Sequence, residues 1–353
     1  MKTLEDQISA VHALEGRTLK SGWKVLSMHR PKPGSSGSNF SVCYAVERDG
    51  ANGFMKVLNV LRFLQEDNPD LPKALELVLS NYNFEKNILE KCGTRRLSKV
   101  AKLLDCGHEH VAGFLIPNIH YLIFERAESD VRAFMNFSKN VDLAWKLKSL
   151  HSISLALQQL HSAEISHQDI KPSNAFVFAD QSTKLGDLGR AVTPDIPCAH
   201  SHLHFAGDPK YAPPEALHNY HMHDTSAAPY AVDCFMLGSL ISFYFTGFNM
   251  TALMIQNFPL GFNWADYKGR FKEAVPYWQF ALDKAIQHIR SSIDCMNPKD
   301  AEEMLGIVRA LCQPEPEQRG HLLTRLEIGS NYLLHRIPPM FDKFAMRARI
   351  KVA

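Results

Sequence analysis

An α+β fold is predicted for this 353-residue chain: a small strand-rich N-terminal part built around one helix, then a larger, mainly helical part. Three observations carry it. Short apolar runs bounded by turn residues crowd the region before residue 126. A long apolar stretch, Ala231 to Ile255, reads as a buried helix in the second part. Between them, His167-Gln168-Asp169-Ile170-Lys171-Pro172-Ser173-Asn174 concentrates a carboxylate, an ammonium and an amide in one loop.

Taken in order, residues 1–22 read as a helical extension, and Trp23-Lys24-Val25-Leu26 as a first strand. Pro33 to Ser41 is a Gly/Ser-rich turn returning through Val42-Cys43-Tyr44-Ala45-Val46, and Phe54-Met55-Lys56-Val57-Leu58 is an apolar strand interrupted by one Lys. Gln65 to Pro72 reads as an inserted turn before an amphipathic helix holding Phe84-Glu85-Lys86-Asn87-Ile88-Leu89-Glu90. Val100 to Asp105 and Tyr121 to Glu125 complete the strands of the first part. Ala175-Phe176-Val177-Phe178 and Thr183-Lys184-Leu185 form a hairpin that brings Asn174 opposite Asp187.

The chemistry of the central loop is that of phosphoryl transfer. Asp169 can accept or orient the proton of an attacking hydroxyl, Lys171 can neutralise the moving phosphoryl group, and Asn174 can hold a metal ion. The run closely resembles the catalytic loop of protein kinases, H-R-D-x-K-x-x-N, with Gln168 in place of Arg. The rest of that family's set follows in order. Gly186-Asp187-Leu188-Gly189 resembles the D-F-G turn, and Tyr211-Ala212-Pro213-Pro214-Glu215 the A-P-E box. Asp233 to Gly238 resembles the start of the large buried helix, and Pro314 to Arg319 the late segment whose Arg pairs with the A-P-E Glu.

The resemblance implies a two-lobed kinase fold: an N-lobe over 23–126, a C-lobe over 127–335 and a basic tail over 336–353. It implies catalytic roles for Asp169, Lys171, Lys56 and Glu85, with Glu90 as the alternative partner of Lys56. ATP would be held by Gly34, Gly37, Lys56, Glu125 and Ala127, and Mg²⁺ (Mn²⁺ as the alternative) by Asn174 and Asp187. His167, Glu215, Asp233 and Arg319 are assigned structural roles, and Asp130 is a candidate for the ribose.

Lysine plus arginine, 39, nearly balance aspartate plus glutamate, 37, so no broad basic field exists for nucleic acid. The acidic start, Met1 to Asp6, is unlike a secretory signal, and seven scattered cysteines without a C-x-x-C pair suit a reducing cytoplasm. Ala231 to Ile255 is long enough for a membrane span, but the flanking motifs place it inside a soluble fold. The expected function is ATP-dependent phosphorylation of Ser/Thr in protein substrates. Gln168 cannot bind an activating phosphate as Arg does, so independence from activation-segment phosphorylation is expected too, the alternative being that Arg190 serves that pocket. The rivals are a partner-binding pseudokinase, suggested by the sparse glycine turn and Asp208, and a small-molecule kinase of related fold. Cys198, His200, His202 and His204, with His218, His221 and His223 beyond, form an imidazole-rich region of zinc-binding composition.

Overall fold

The computed structural model describes residues 8–29, 41–64, 70–137, 141–197, 200, 203–321, 323–324 and 332–350. The turn carrying Gly34 and Gly37 lies outside them. The chain divides into two compact units, one of Met1–Ser129 with Phe178–Asp180, the other of Asp130–Val177 with Gln181–Ala353.

Alternation of apolar and polar residues builds the first unit. Strands β1 (Lys24–His29), β2 (Ser41–Arg48), β3 (Ala51–Leu58), β4 (Leu103–His110) and β5 (Asn118–Glu125) form an antiparallel sheet in the order β1-β2-β3-β5-β4. On β3, Met55 and Val57 face the core and Phe54 and Lys56 the opposite side, as a period of two requires. The core beneath the sheet takes Trp23, Val25, Tyr44, Val46, Ile119 and Ile123. It also takes Ala10, Val11 and Leu14 from the N-terminal segment, where Ala10–His12 makes a 3-10 turn. Tyr44 donates its hydroxyl to the Val11 carbonyl at 2.6 Å, so this segment is part of the sheet's packing. Gly53 has a spatial reason: a Cβ there would lie 2.9 Å from both Ile123 and Val46.

Helix α1 (Leu71–Thr94) is longer than its amphipathic centre suggested. Asp70 caps it by accepting the Lys73 N–H, and Leu71-Pro72, expected in a turn, instead form its first turn, where proline costs no hydrogen bond. The strand expected at Val100 begins at Leu103.

The second unit is helical around one hairpin, β6 (Ala175–Val177) with β7 (Thr183–Leu185). Its helices are α2 (Val131–Phe137), α3 (Leu143–Ser162), α4 (Pro214–Leu217), α5 (Ala228–Thr246), α6 (Met250–Gln256), α7 (Phe271–Ser291), α8 (Pro298–Leu311) and α9 (Ile337–Ile350). The long apolar stretch is therefore two helices: α5 ends at Gly247, whose φ of 78° is open to glycine at little cost. Helix α5 is long and apolar enough to cross a membrane by length and composition, and most of it is buried in this unit. Gly238 lets it approach the end of α8 closely, since a Cβ would meet the Cys312 sulfur at 2.3 Å. The basic tail forms α9, which packs Ile337, Phe341 and Phe344 into the core while Met346 stays exposed. Burying each such side chain contributes about 1.5–3 kcal/mol. Its charges pair with α8, Lys343 with Glu303 and Arg347 with the buried Asp300.

Candidate active site

In the first unit, β3 presents Lys56 to α1. Its Nζ lies 2.9 Å from both Glu85 carboxylate oxygens, with the Glu85 side chain almost wholly buried. Glu90 pairs instead with Lys86, one turn back on α1. Lys56 thus emerges on the same face of β3 as Phe54, oriented by a buried acid. Glu125 and Lys102 are tied twice: the Lys102 N–H donates to the Glu125 carboxylate at 2.8 Å, and the Glu125 N–H to the Lys102 carbonyl at 3.0 Å. Ala127 lines a hollow of about 240 Å³ with Met28, Ala45, Phe54 and Arg126, open at the sheet edge.

In the second unit the loop 167–174 is folded onto α5 by Asp233. This fully buried carboxylate accepts the His167 N–H at 2.7 Å and the Gln168 N–H at 2.8 Å. It also accepts from Ser166 Oγ and His161 Nε2, each at 2.9 Å. Burial alone would raise its pKa, but the hydrogen bond and charge of His161, with the backbone donors, hold it below the usual carboxylate range. His167 is buried and holds backbone at both nitrogens: Nε2 donates to the Gly186 carbonyl at 3.1 Å and Nδ1 accepts the Asp169 N–H at 3.2 Å. With both nitrogens engaged, it orients its neighbours and is not placed to shuttle protons.

Gln168 has a left-handed backbone, φ 65°, and its amide points inward. Nε2 donates to Ser166 Oγ at 2.6 Å, to the Pro229 carbonyl at 2.7 Å and to Asp233 Oδ1 at 3.3 Å. The residue that departs from the family pattern is thus built into the scaffold.

Asp169, also buried, sits at the centre of a polar cluster. Its Oδ2 accepts from Lys171 Nζ at 2.9 Å and Asn174 Nδ2 at 3.0 Å. Its Oδ1 accepts the backbone N–H of Asp208 at 3.0 Å. The Asp208 carboxylate would repel Asp169, but its own amide donates to Asp169 and its carboxylate lies 3.6 Å from Lys171 Nζ. Burial pushes the Asp169 carboxyl up from its ordinary value, and Lys171 only partly offsets this. Burial works against the Lys171 charge as well, but the carboxylates of Asp169 and Asp208 win and raise its pKa.

Asn174 spends its Nδ2 on Asp169, leaving the amide oxygen for another partner. Asp187 is close enough to act on the charges of Asp169 and Lys171, and its own backbone is left-handed at φ 62°. An amide oxygen plus a carboxylate fits a hard cation such as Mg²⁺. Among the described residues, no group of three or more His, Cys, Asp or Glu is arranged to hold a metal. Asp130 accepts the Ala133 N–H at 2.9 Å and so begins α2.

Arg319 is wholly buried and grips Glu215 by both ends of its guanidinium, at 2.6 and 2.5 Å. Its other N–H groups reach the carbonyls of Gln313, Ala231 and Pro314. Sequence reasoning overlooked Ser166, His161 and Pro229, ordinary residues whose use appears only once α5 is packed. It passed over Gly207 too. A Cβ there would lie 2.3 Å from the Gln168 carbonyl, so only glycine lets this segment reach Asp169.

A buried carboxylate held by a lysine, an amide and a backbone N–H, a Lys–Glu pair on a strand and helix, and a buried Arg–Glu clamp are together the apparatus of protein kinases. The chain belongs to the protein kinase domain family, whose model matches residues 40–325. It is similar to a probable L-type lectin-domain containing receptor kinase S.5 of Arabidopsis thaliana, 25% identical over 65% of this chain and 34% of that one. It also resembles an Aurora kinase of Debaryomyces hansenii, 28% identical over 45% of this chain and 38% of the relative. A third similarity is to the mitosis inhibitor protein kinase SWE1 of Saccharomyces cerevisiae, 24% identical over 68% and 29%. The chain thus spans about a third of the length of these relatives.

Proposed function

We propose that this chain is an ATP-dependent protein kinase that transfers the γ-phosphoryl group to Ser/Thr hydroxyls. The observation that carries the reading is the set of hydrogen bonds around Asp169. Oδ2 takes two donors, and among the described residues Oδ1 takes only the Asp208 N–H, leaving a lone pair for a substrate hydroxyl. The hydroxyl oxygen bonds to the γ-phosphorus as the bond to the β-phosphate oxygen breaks. The hydroxyl proton moves toward Asp169 and ADP departs. A carboxylate whose burial raises its pKa is the better base for that proton. Lys171, its charge secured by two carboxylates, stabilises the moving phosphoryl group. Lys56, held by Glu85, is assigned to the α- and β-phosphates. Mg²⁺ on Asn174 and Asp187 would neutralise phosphate charge. Lys171 at this position favours Ser/Thr over Tyr.

Turnover without activation-segment phosphorylation is the second part of the reading. Gln168 is neutral and its amide is spent on α5 and Ser166. Thr193, one candidate phosphosite, is buried with its hydroxyl on Asp195 at 2.5 Å. Ser201, the other, lies outside the described residues. A reducing cytoplasmic location is part of the proposal, on the seven scattered cysteines without a C-x-x-C pair.

The deciding assay combines purified protein, ATP, Mg²⁺ and a general protein substrate, against Asp169→Asn. Loss of about 10²–10⁴-fold in transfer is expected. Equal transfer by both proteins sinks the mechanism, and transfer by neither favours a pseudokinase. Alanine at Thr193 and Ser201 should leave turnover intact; its loss would refute phosphorylation independence.

A further inference from the structure

The imidazole-rich region is the part of the sequence that phosphoryl transfer does not use. Two of its members, His204 and His221, 17 residues apart in sequence, meet. His204 Nδ1 faces His221 Nε2 at 3.1 Å, with ring centroids 4.4 Å apart, and both rings are exposed to solvent.

We infer that His204 and His221 together bind one divalent transition-metal ion, of the Zn²⁺, Cu²⁺ or Ni²⁺ class, with water completing its coordination. Two nitrogens bound to one ion at about 2.0–2.1 Å, at angles between a right angle and the tetrahedral one, stand about 2.9–3.4 Å apart. The observed separation is already within that range. The hydrogen bridging the two nitrogens passes to the other nitrogen of its own ring, and the two exposed rings turn to aim both lone pairs at the ion.

The surroundings prepare the pair. The Glu215 backbone lies beside the His204 imidazole, where an outer contact can fix the ring of a metal-bound histidine. Imidazole suits borderline ions, and copper binds most strongly in the usual order. Among the described residues no third His, Cys, Asp or Glu completes a closed cage, so the ion would exchange readily and would not be structural.

Location gives the site its consequence. His204 stands just before Gly207 and Asp208, which lie against Gln168 and Asp169, and His221 follows the helix of Glu215. An ion joining the two imidazoles would cross-link this segment to the loop after α4. The inference rests on the imidazole geometry, and metal binding is measured without turnover, so it stands or falls apart from the kinase reading.

The test uses the full chain, titrated with Zn²⁺ by calorimetry and with Cu²⁺ under electron paramagnetic resonance. Wild type should bind one equivalent, with the copper signal split by two imidazole nitrogens. His221→Ala, at an exposed position, should keep its metal-free melting temperature, weaken binding by at least about tenfold and leave one nitrogen. His288→Ala, an exposed histidine on α7, should change neither. Zn²⁺ affinity in His221→Ala equal to wild type, or a copper signal lacking two nitrogens in wild type, overturns the inference. If His204→Ala fails to fold, His221→Ala and His221→Gln still decide it.

Discussion

At the scale of single residues, Gln168 shows how an uncharged side chain takes over a structural duty. Its Nε2 is surrounded by three acceptors: a hydroxyl, a carbonyl and the Asp233 carboxylate. Gln168→Glu keeps the shape and replaces the donor with an acceptor. It should destabilise the protein by about 1–3 kcal/mol or more, because each facing acceptor loses a hydrogen bond and a charge meets Asp233. The loss should be smaller at pH 5 than at pH 8, since a protonated Glu can still donate; equal losses in chemical denaturation would refute this. Asp169 gives a second prediction. Burial raises its pKa and Lys171 lowers it, so removing the lysine lifts it further. Residual transfer by Lys171→Ala should therefore fall off at higher pH on the acid side than wild type, because Asp169 must be ionised to take the proton. An acid limb that stays put or moves to lower pH would contradict the assignment.

At the scale of elements, the N-terminal end of α5 organises the catalytic loop through one carboxylate. Asp233 gathers two backbone N–H groups, Ser166 and His161 in a buried site. Asp233→Ala would leave the two buried N–H groups without this acceptor and should cost about 3–5 kcal/mol, read as a lower denaturant midpoint at unchanged slope. Its pKa is depressed in the folded state, so its contribution is full above the ordinary Asp range and is lost as pH falls through the depressed value. The wild-type advantage over Asp233→Ala should shrink only in that acid window. Much of this site was legible beforehand. The resemblance to protein kinases marked Asp233, Glu215 and Arg319 and paired Lys56 with Glu85, where the strand pattern alone would have left Lys56 on a solvated face. The start of α1 at Leu71, the break at Gly247 and the inward turn of Gln168 were not legible. The first two depend on local caps, which periodicity does not reveal. The third depends on the Pro229 carbonyl, which only tertiary packing brings to residue 168. Ser166, His161 and Gly207 escaped for the same reason: each acts through a contact distant in sequence.

At the scale of the whole molecule, the functional groups are divided between two units: Lys56 and Glu85 in one, and Asp169, Lys171, Asn174 and Asp187 in the other. In each, buried charges are partnered, as the cost of an isolated ion requires. Activity and ligand binding draw on this division differently. A nucleotide that binds only the folded chain stabilises it by about 2.7 kcal/mol at a hundred times its Kd. ATP with Mg²⁺ should therefore raise the melting temperature of wild type and also of Asp169→Asn, whose missing charge is assigned to transfer and not to binding. Asp187→Asn should keep a metal-independent rise and lose the increment added by Mg²⁺, because it forfeits a charged oxygen ligand. Lys56→Met should reduce the rise with and without metal, since it removes a phosphate contact and leaves Glu85 buried without its cation. Differential scanning fluorimetry on the four proteins reads all of this in one experiment. If Asp187→Asn responds to Mg²⁺ as wild type does, the metal is held elsewhere. If Lys56→Met matches wild type in both conditions, the Lys56–Glu85 pair serves the fold of its own unit and not the nucleotide.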